Sequence, residues 1–104
     1  MKNFASIMKQ AQKMQEKMNE LQAQLETKIV ESSAGGGMVK VTANGRQEIV
    51  SIKIDPEVVS KDDVEMLEDL ILSAVNEARR KADELAKEEM ARLTGELGLP
   101  GLFK

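Results

Sequence analysis

Apolar and polar residues alternate with a period of two at one place in the chain, between Gly35 and Asp55. Two runs in this segment have the alternation of strands that bury one face. Asn44-Gly45 lies between the runs and suits a type I′ turn, because both central residues of that turn need positive φ. The segment therefore predicts a β-hairpin. Its apolar positions are Val39, Val41 and Ala43, then Val50, Ile52 and Ile54.

A long heptad pattern precedes the hairpin, from Asn3 to about Glu26. Its apolar residues are separated by alternating steps of three and four, the spacing of one face of an α-helix. A helix of about 24 residues is roughly 36 Å long, so part of it is expected to project beyond the sheet. The apolar positions are Phe4, Ile7, Ala11, Met14, Met18, Leu21 and Leu25.

The residues between this helix and the hairpin predict a third strand. Segment 27–33, TKIVESS, contains β-branched residues and is expected to pair antiparallel with the hairpin. The three glycines at 35 to 37 are interpreted as a flexible turn. The alternative, a loop that cradles a phosphate, has no P-loop or dinucleotide fingerprint around it.

A second long helix is predicted after the hairpin. Pro56 cannot donate to a sheet and ends the last strand. Ser60 with Asp63 resembles a capping box and predicts the helix start, and Gly95 predicts its end. Alanines at 74, 78, 82 and 86 form a stripe that is expected to pack closely against another element.

These elements predict an α+β fold with a long N-terminal helix, a three-stranded antiparallel sheet and a long C-terminal helix. They form a single domain over residues 1–95. A Gly/Pro-containing C-terminal tail, 96–104, follows and is expected either to fray or to dock on a partner.

Composition limits the core and the chemistry. The chain has 104 residues with two Phe and neither Trp nor Tyr, so burial against a second copy would add stability. It has no Cys and no His, which removes disulfides, thiol nucleophiles and the usual zinc and general-base residues. We therefore expect no enzyme activity, cofactor, metal or small-molecule substrate. No signal peptide or apolar span is apparent, so we expect a cytoplasmic protein without membrane association.

Basic residues cluster although the net charge is −3. At 100° per residue, Lys9, Lys13 and Lys17 lie in one arc of the first helix, away from its apolar stripe, where they could contact successive phosphates. The simpler interpretation is that the basic residues belong to solvated faces and pair with acidic neighbours one turn away. The densest basic group of the second helix consists of Arg79, Arg80, Lys81 and Lys87.

Four segments carry a resemblance that covers nearly the whole chain. They are MKQAQKMQEKM, GGGMVKVTANG, IDPEVV and DDVEMLEDLILSAVNEARRKADE. In this order they resemble the YbaB/EbfC family of bacterial nucleoid-associated proteins. The resemblance implies a homodimer joined through the sheet region, whose helices project like tweezer arms, bind duplex DNA and alter its conformation. It also implies a place in the nucleoid and a role in nucleoid organisation and gene regulation.

The resemblance also implies site residues. DNA contact would fall to Lys9, Lys13, Lys17, Arg79, Arg80 and Lys87. Dimer contact would fall to Val39, Val41, Val50, Ile52 and Ile54. Because aromatic base platforms are lacking, backbone and shape contacts should dominate and sequence preference should be weak. The alternative function is a protein-interaction module with helical arms, similar in outline to prefoldin subunits, which would need exposed apolar residues at the arm tips.

Overall fold

The computed structural model describes residues 3 to 96, which form two long helices and one sheet. The elements are α1 (Phe4–Thr27), β1 (Ile29–Ala34), β2 (Val39–Asn44), β3 (Ile49–Ile54), a 3-10 turn (Pro56–Val58) and α2 (Val64–Glu96). The strands pair antiparallel in the order β1-β2-β3. The predicted α+β fold is confirmed, including the strand that precedes the hairpin.

Polar side chains close the N-terminal ends of both helices. Asn3 Oδ1 accepts a hydrogen bond from the backbone N–H of Ser6, and Asp63 Oδ1 accepts one from the backbone N–H of Met66. Each oxygen satisfies a donor that the first helical turn leaves unpaired. The helix start predicted at Ser60 is wrong, because its side chain accepts from the backbone two residues on, within a turn that precedes α2.

The end of α2 also differs from the prediction. Gly95 lies inside the helix, which continues to Glu96, so the predicted stop at Gly95 is wrong. A glycine inside a helix costs only about 1 kcal/mol relative to alanine, and the buried Leu93 holds this turn against α1. Of the predicted tail, residues 97–104 lie outside the described residues.

The β2–β3 loop is longer than the predicted type I′ turn, which is therefore wrong. It spans residues 45–48, and the positive φ occurs at Gln47 rather than at Asn44 or Gly45. The Asn44 Oδ1 organises the loop by accepting hydrogen bonds from two of its backbone N–H groups. Gly45 is required for a different reason, because the end of α1 approaches its backbone closely. Its backbone nitrogen lies 2.8 Å from the backbone oxygen of Leu25, and an added Cβ would lie 2.9 Å from that oxygen.

The main core lies between α2 and one face of the sheet. α2 lies over β1 and β2, and the alanines at 74, 78 and 82 are completely buried there. Opposite them, Val39 and Val41 are also completely buried. Small side chains let the helix approach the sheet closely, and Ser32 Oγ donates a hydrogen bond to the backbone oxygen of Ala74.

β3 extends beyond the cover of α2. In the register of the hairpin, Ile52 pairs with Val41, while Ile49 pairs with Ala43 because a β-bulge adds Val50 to the strand. Ile52 lies on the same face of the sheet as its buried partner Val41, but it remains 45% exposed. The hairpin thus has one buried strand and one apolar strand that is open to solvent.

A smaller core joins the C-terminal half of α1 to the C-terminal half of α2. Leu21 and Leu25 pack there against Leu93. The order of their contacts shows that the two helices run antiparallel. Lys28, just after α1, contacts Glu89, whereas Leu21, which is earlier in α1, packs against Leu93, which is later in α2. This contact sets the direction in which α1 leaves the sheet.

Candidate nucleic-acid interface

The N-terminal half of α1 extends beyond the rest of the described chain. Lys17 and Glu96 line the same cleft between the two helices. At 1.5 Å per residue, the segment from Phe4 to Glu16 therefore reaches about 20 Å past the described end of α2. The described chain is correspondingly elongated, at 73 × 23 × 17 Å. Every residue of this projecting half is exposed except Met14, which is half-buried.

The three lysines of the predicted α1 site follow one side of this helix. Successive lysines are about 6 Å apart along the axis and 40° apart around it. Within residues 3 to 96, neither Lys9 nor Lys13 forms an ion pair. Lys17 differs, because its Nζ lies 3.7 Å from the carboxylate of Glu20. The two lysines nearer the tip therefore have no acidic partner in the described chain.

Two cations of the predicted α2 site are already engaged. The Arg80 guanidinium contacts the carboxylates of Glu77 and Glu84, the latter at 2.9 Å. The hydrogen bond from Arg80 lowers the pKa of the Glu77 carboxyl, and the same pair raises the pKa of Arg80. Lys87 Nζ lies 3.0 Å from Asp83 Oδ2. For these two residues the simpler interpretation, a solvated and internally paired face, describes the structure.

Arg79 lies at the opposite side of α2 from Lys81. Lys81 Nζ donates to a backbone oxygen of β1, whereas Asp83 accepts a long hydrogen bond from Gln47 in the β2–β3 loop. At 100° per residue, Arg79 lies within about 40° of Asp83 and so faces the β3 side. It is exposed, and no ion pair to it occurs in the described part of the chain. The basic group that looked continuous in sequence is thus divided between two edges.

One group of acidic residues lies at the end of the molecule far from the projecting half of α1. Measured along α2, the distance from Asp69 to Glu96 is about 40 Å. This is several times the screening length of about 8 Å at physiological ionic strength. The acidic residues at that end are Asp55, Glu57, Asp62, Asp63, Glu65, Glu68 and Asp69. Their field therefore reaches Lys9 and Lys13 only weakly.

The residues predicted for dimer contact fall into two groups. Val39 and Val41 are covered completely by α2 of the same chain, so their side chains have no surface left for a partner. Val50, Ile52 and Ile54 of β3 are exposed. Of the five predicted residues, only the three on β3 therefore have side-chain surface that a second copy could cover.

Leu72 extends this apolar surface and was not among the predicted residues. It is 59% exposed and lies within about 20° of Arg79 around α2, on the side that faces β3. Ile49 and Ile52 lie on the face of the sheet that α2 packs against, and both are exposed, so uncovered apolar side chains occur on β3 as well as on this side of α2. The sequence did contain a signal, since Leu72 is an apolar residue that follows the half-buried Ile71.

A buried carboxylate joins the two helices, and sequence reasoning did not detect it. Glu89 is 7% exposed, and its Oε1 accepts a hydrogen bond from Lys28 Nζ over 2.6 Å. Arg92 donates to the same carboxylate from one turn further along α2. The hydrogen bond from Lys28 lowers the pKa of the Glu89 carboxyl, against the opposing effect of burial. No local pattern could reveal this pair, because its members are 61 positions apart.

Comparison with known proteins identifies the family. The sequence model of the YbaB/EbfC DNA-binding family matches residues 1–97. The chain belongs to this family. It is 58% identical over 101 residues to a nucleoid-associated protein of Thermoanaerobacter pseudethanolicus, with 97% of this chain and 91% of that one covered. It is 61% identical over 102 residues to a nucleoid-associated protein of Ruminiclostridium cellulolyticum, with 97% and 89% covered.

A solved structure agrees with the fold of this YbaB/EbfC family member. The crystal structure of an uncharacterized protein from Helicobacter pylori superposes with a TM-score of 0.80 at 26% identity, over 89% of this chain and 98% of that one. The resemblance stated from the sequence is thus confirmed. The YbaB/EbfC family is a DNA-binding family and not an enzyme family.

Two other findings concern residues 3 to 96 of this YbaB/EbfC family member. Within that range, no three acidic side chains come together as ligands for a metal ion. Neither described helix combines the length and the apolar character needed to cross a bilayer.

Proposed function

We propose that this YbaB/EbfC family member acts in the nucleoid as a homodimer that binds duplex DNA through its projecting helices and alters its conformation. Such a protein would contribute to nucleoid organisation and gene regulation. The observation that carries the proposal is the projecting half of α1, with Lys9 and Lys13 on one side and without an acidic partner in the described chain.

The spacing of these lysines supports contact with the DNA backbone. Lys9 and Lys13 are about 6 Å apart along α1, close to two steps of 3.4 Å along one strand of the duplex. Each phosphate that is neutralised releases counterions, which favours binding and makes it sensitive to salt. We therefore assign the first phosphate contacts to Lys9 and Lys13, with Arg79 as the cation of α2 that is not committed to an ion pair.

The other three predicted DNA-binding residues are weaker candidates for contact with DNA phosphates. Lys17, Arg80 and Lys87 contact carboxylates of the same chain. To bind a phosphate, each would have to exchange an existing ion pair for a new one, and an exposed ion pair is worth about 0 to 1 kcal/mol. We propose that they reorient toward DNA when it is present and add less affinity per residue than Lys9 and Lys13.

The proposed dimer uses the exposed apolar side chains of β3 and of the side of α2 that faces β3. Ile49, Ile52 and Ile54 are exposed on β3, which is an edge strand of the sheet, and Leu72 is exposed on α2. Burial of apolar surface is the dominant favourable contribution in most protein–protein association. Two copies joined along β3 would set the distance between their α1 helices, and that distance would determine how a duplex is held.

Sequence-specific readout is not part of this proposal. The chain has two Phe and neither Trp nor Tyr, so it has few aromatic rings on which bases could stack. Contacts to phosphates fix position but carry no sequence information by themselves. We propose that DNA shape and deformability, rather than base edges, produce whatever preference the dimer has.

Charge reversal on α1 tests the function. The variant Lys9→Glu/Lys13→Glu/Lys17→Glu should remain a folded dimer by circular dichroism and light scattering, and should no longer retard a duplex of mixed sequence in a low-salt gel. A control with the same total change in charge is Lys40→Glu/Arg46→Glu/Lys61→Glu, outside both α1 and β3. Unchanged retardation by the α1 variant would remove α1 as the DNA contact. Equal loss in both variants would assign binding to net charge alone.

One observation favours the alternative, a prefoldin-like interaction module. Phe4 is 74% exposed and Ile7 is 55% exposed, so the tip of α1 carries apolar side chains. If this tip holds unfolded clients, the purified protein should suppress aggregation of a denatured test protein. Replacement by Phe4→Ser/Ile7→Ser should then abolish suppression without changing DNA retardation.

A further inference from the structure

The apolar stripe of α1 is packed against α2 along only half of its length. In the C-terminal half of α1, Leu21 and Leu25 are buried against α2. Toward the N-terminus the same stripe continues through Ala11, Ile7 and Phe4, which are all exposed. One continuous helical face therefore begins as a helix-helix interface and continues as an open apolar surface.

The open part of this stripe carries no charge on its own face. Between residues 4 and 15 the charged residues are Lys9 and Lys13. At 100° per residue, both lie at least about 140° around the helix from the centre of the stripe. Like charges one turn apart or face to face would oppose association of identical helices. Here none stands between two copies of this face.

The sizes of the apolar side chains fit an antiparallel pair of identical helices. When a two-fold axis passes beside residue 9, Ile7 of one copy lies opposite Ala11 of the other, and Phe4 lies opposite Met14. A branched side chain then faces a small one. The aromatic ring faces a thioether, with which it makes a favourable contact. The two-fold axis repeats these pairs, so the stripe is complementary to itself.

We propose that the projecting half of α1 pairs antiparallel with the same segment of a second copy, through Phe4, Ile7, Ala11 and Met14. About 12 residues of each chain take part, fewer than the roughly 20 to 30 per partner of a stable interface, so the pairing is weak and depends on concentration. Lys9 and Lys13 stay on the outer side of each helix. The pairing uses a different surface from the proposed contact on β3 and requires no DNA.

Cross-linking tests the arrangement. The chain has no cysteine, so Ile7→Cys and Ala11→Cys each carry one thiol, and isotopic labelling of one variant distinguishes the two by mass. In a mixture, a short bis-maleimide should join position 7 to position 11 of another copy faster than it joins either variant to itself. The control Ser6→Cys, on the side of the lysines, should be joined to Ala11→Cys more slowly. Equal rates for Ile7→Cys and Ser6→Cys, or a majority of products within one variant, would overturn the proposal.

Sedimentation equilibrium without DNA tests the strength of the pair. Between about 1 μM and about 1 mM chain, the range of a weak complex, the average mass of the unsubstituted protein should rise. Ile7→Asp should shift this rise to a concentration at least about tenfold higher, because pairing would bury an unpaired charge. Ser6→Asp adds the same charge on the side of the lysines and should leave the rise in place. Coincident curves for the two variants would contradict pairing through this face.

Failure of this pairing and failure of the proposed contact on β3 can be told apart. Ile52→Asp changes only the apolar surface of β3. The cross-link between positions 7 and 11 should therefore also form in chains that carry Ile52→Asp. Loss of the cross-link in that background would mean that the α1 helices meet only because β3 joins the chains, which would overturn the independent pairing.

Discussion

Lys28 Nζ lies 2.6 Å from Glu89 Oε1, which bonds the residue that follows α1 to a carboxylate in the last third of α2. Removal of two charges from water is unfavourable, so an ion pair with a buried member contributes mainly by fixing geometry. Here the geometry is the direction of α1. The projecting half of α1, which carries Lys9 and Lys13, is held in place by this pair together with the packing of Leu21 on Leu93.

Loss of the Glu89 charge should loosen this junction. In Glu89→Gln, the Lys28 ammonium and the Arg92 guanidinium lose a charged acceptor, and hydrogen bonds to charged groups are stronger than neutral ones. We expect the midpoint of urea unfolding to fall. The control Glu88→Gln removes an exposed carboxylate one position earlier and should leave the midpoint almost unchanged. Equal midpoints for the two variants would exclude a structural role for the pair.

The same pair predicts a dependence of stability on pH. The pKa of the Glu89 carboxyl is lowered in the folded chain, chiefly by the hydrogen bond from Lys28. Its contribution should be fully present above the ordinary glutamate pKa of about 4.3 and should be lost as the pH falls through the lowered value. The difference in unfolding free energy between the unsubstituted chain and Glu89→Gln should therefore be constant from neutral pH to about pH 5 and shrink below it. A difference that grows on acidification would contradict this assignment.

Two paired positions in the hairpin should respond differently to the same substitution. Val41 is completely buried, so Val41→Asp should bury an unpaired charge and unfold the chain, as measured by circular dichroism. Its cross-strand partner Ile52 is 45% exposed, so Ile52→Asp should leave a folded monomer, as measured by light scattering. A stable dimer of Ile52→Asp would remove β3 from the proposed dimer surface.

Salt dependence should separate the free cations from the paired ones. In Lys9→Gln/Lys13→Gln, the slope of log K against log salt should fall in magnitude by about 0.9 for each phosphate contact that is lost. In Arg80→Gln/Lys87→Gln, which removes the same charge, the slope should change less, because those cations are engaged by carboxylates. Fluorescence anisotropy with a labelled duplex measures both slopes. Identical changes would mean that the ion pairs on α2 open freely when DNA binds.

Two glycines should have opposite responses to alanine. At Gly45, an added Cβ would lie 2.8 Å from Leu25 Cδ2 and 2.9 Å from the Leu25 backbone oxygen, so Gly45→Ala should destabilise the chain by about 1 to 3 kcal/mol. Gly95 lies in α2 with open space around its Cα, so Gly95→Ala should stabilise it by up to about 1 kcal/mol. Urea unfolding measures both changes, and destabilisation by both would contradict the packing described here.

Local patterns predicted the elements well and their ends less well. The period-two runs identified β2 and β3, and the heptads identified α1, because these periods follow directly from which face is buried. The turn at Asn44 was mispredicted because Gly45 is required by the nearby end of α1 and not by a positive φ. Contact between distant segments decided that loop.

The candidate site was predictable only in outline. The sequence placed Lys9, Lys13 and Lys17 on one side of a helix, which periodicity alone determines. It could not reveal that Arg80 is engaged by Glu77 and Glu84 while Arg79 is not, since all are within one turn of possible partners. Side-chain geometry around α2 made that distinction.

By itself, the sequence determined the fold class, the order of the elements, the lack of cysteine and histidine chemistry and the similarity to the YbaB/EbfC family. Only the tertiary structure decided which apolar residues are open to a second copy, because Val41 and Ile52 have the same pattern and differ only in the cover that α2 provides. It alone also decided the direction of α1, which depends on the contact between Lys28 and Glu89. A period reports which residues share a face, whereas packing between distant segments decides which of those faces is covered.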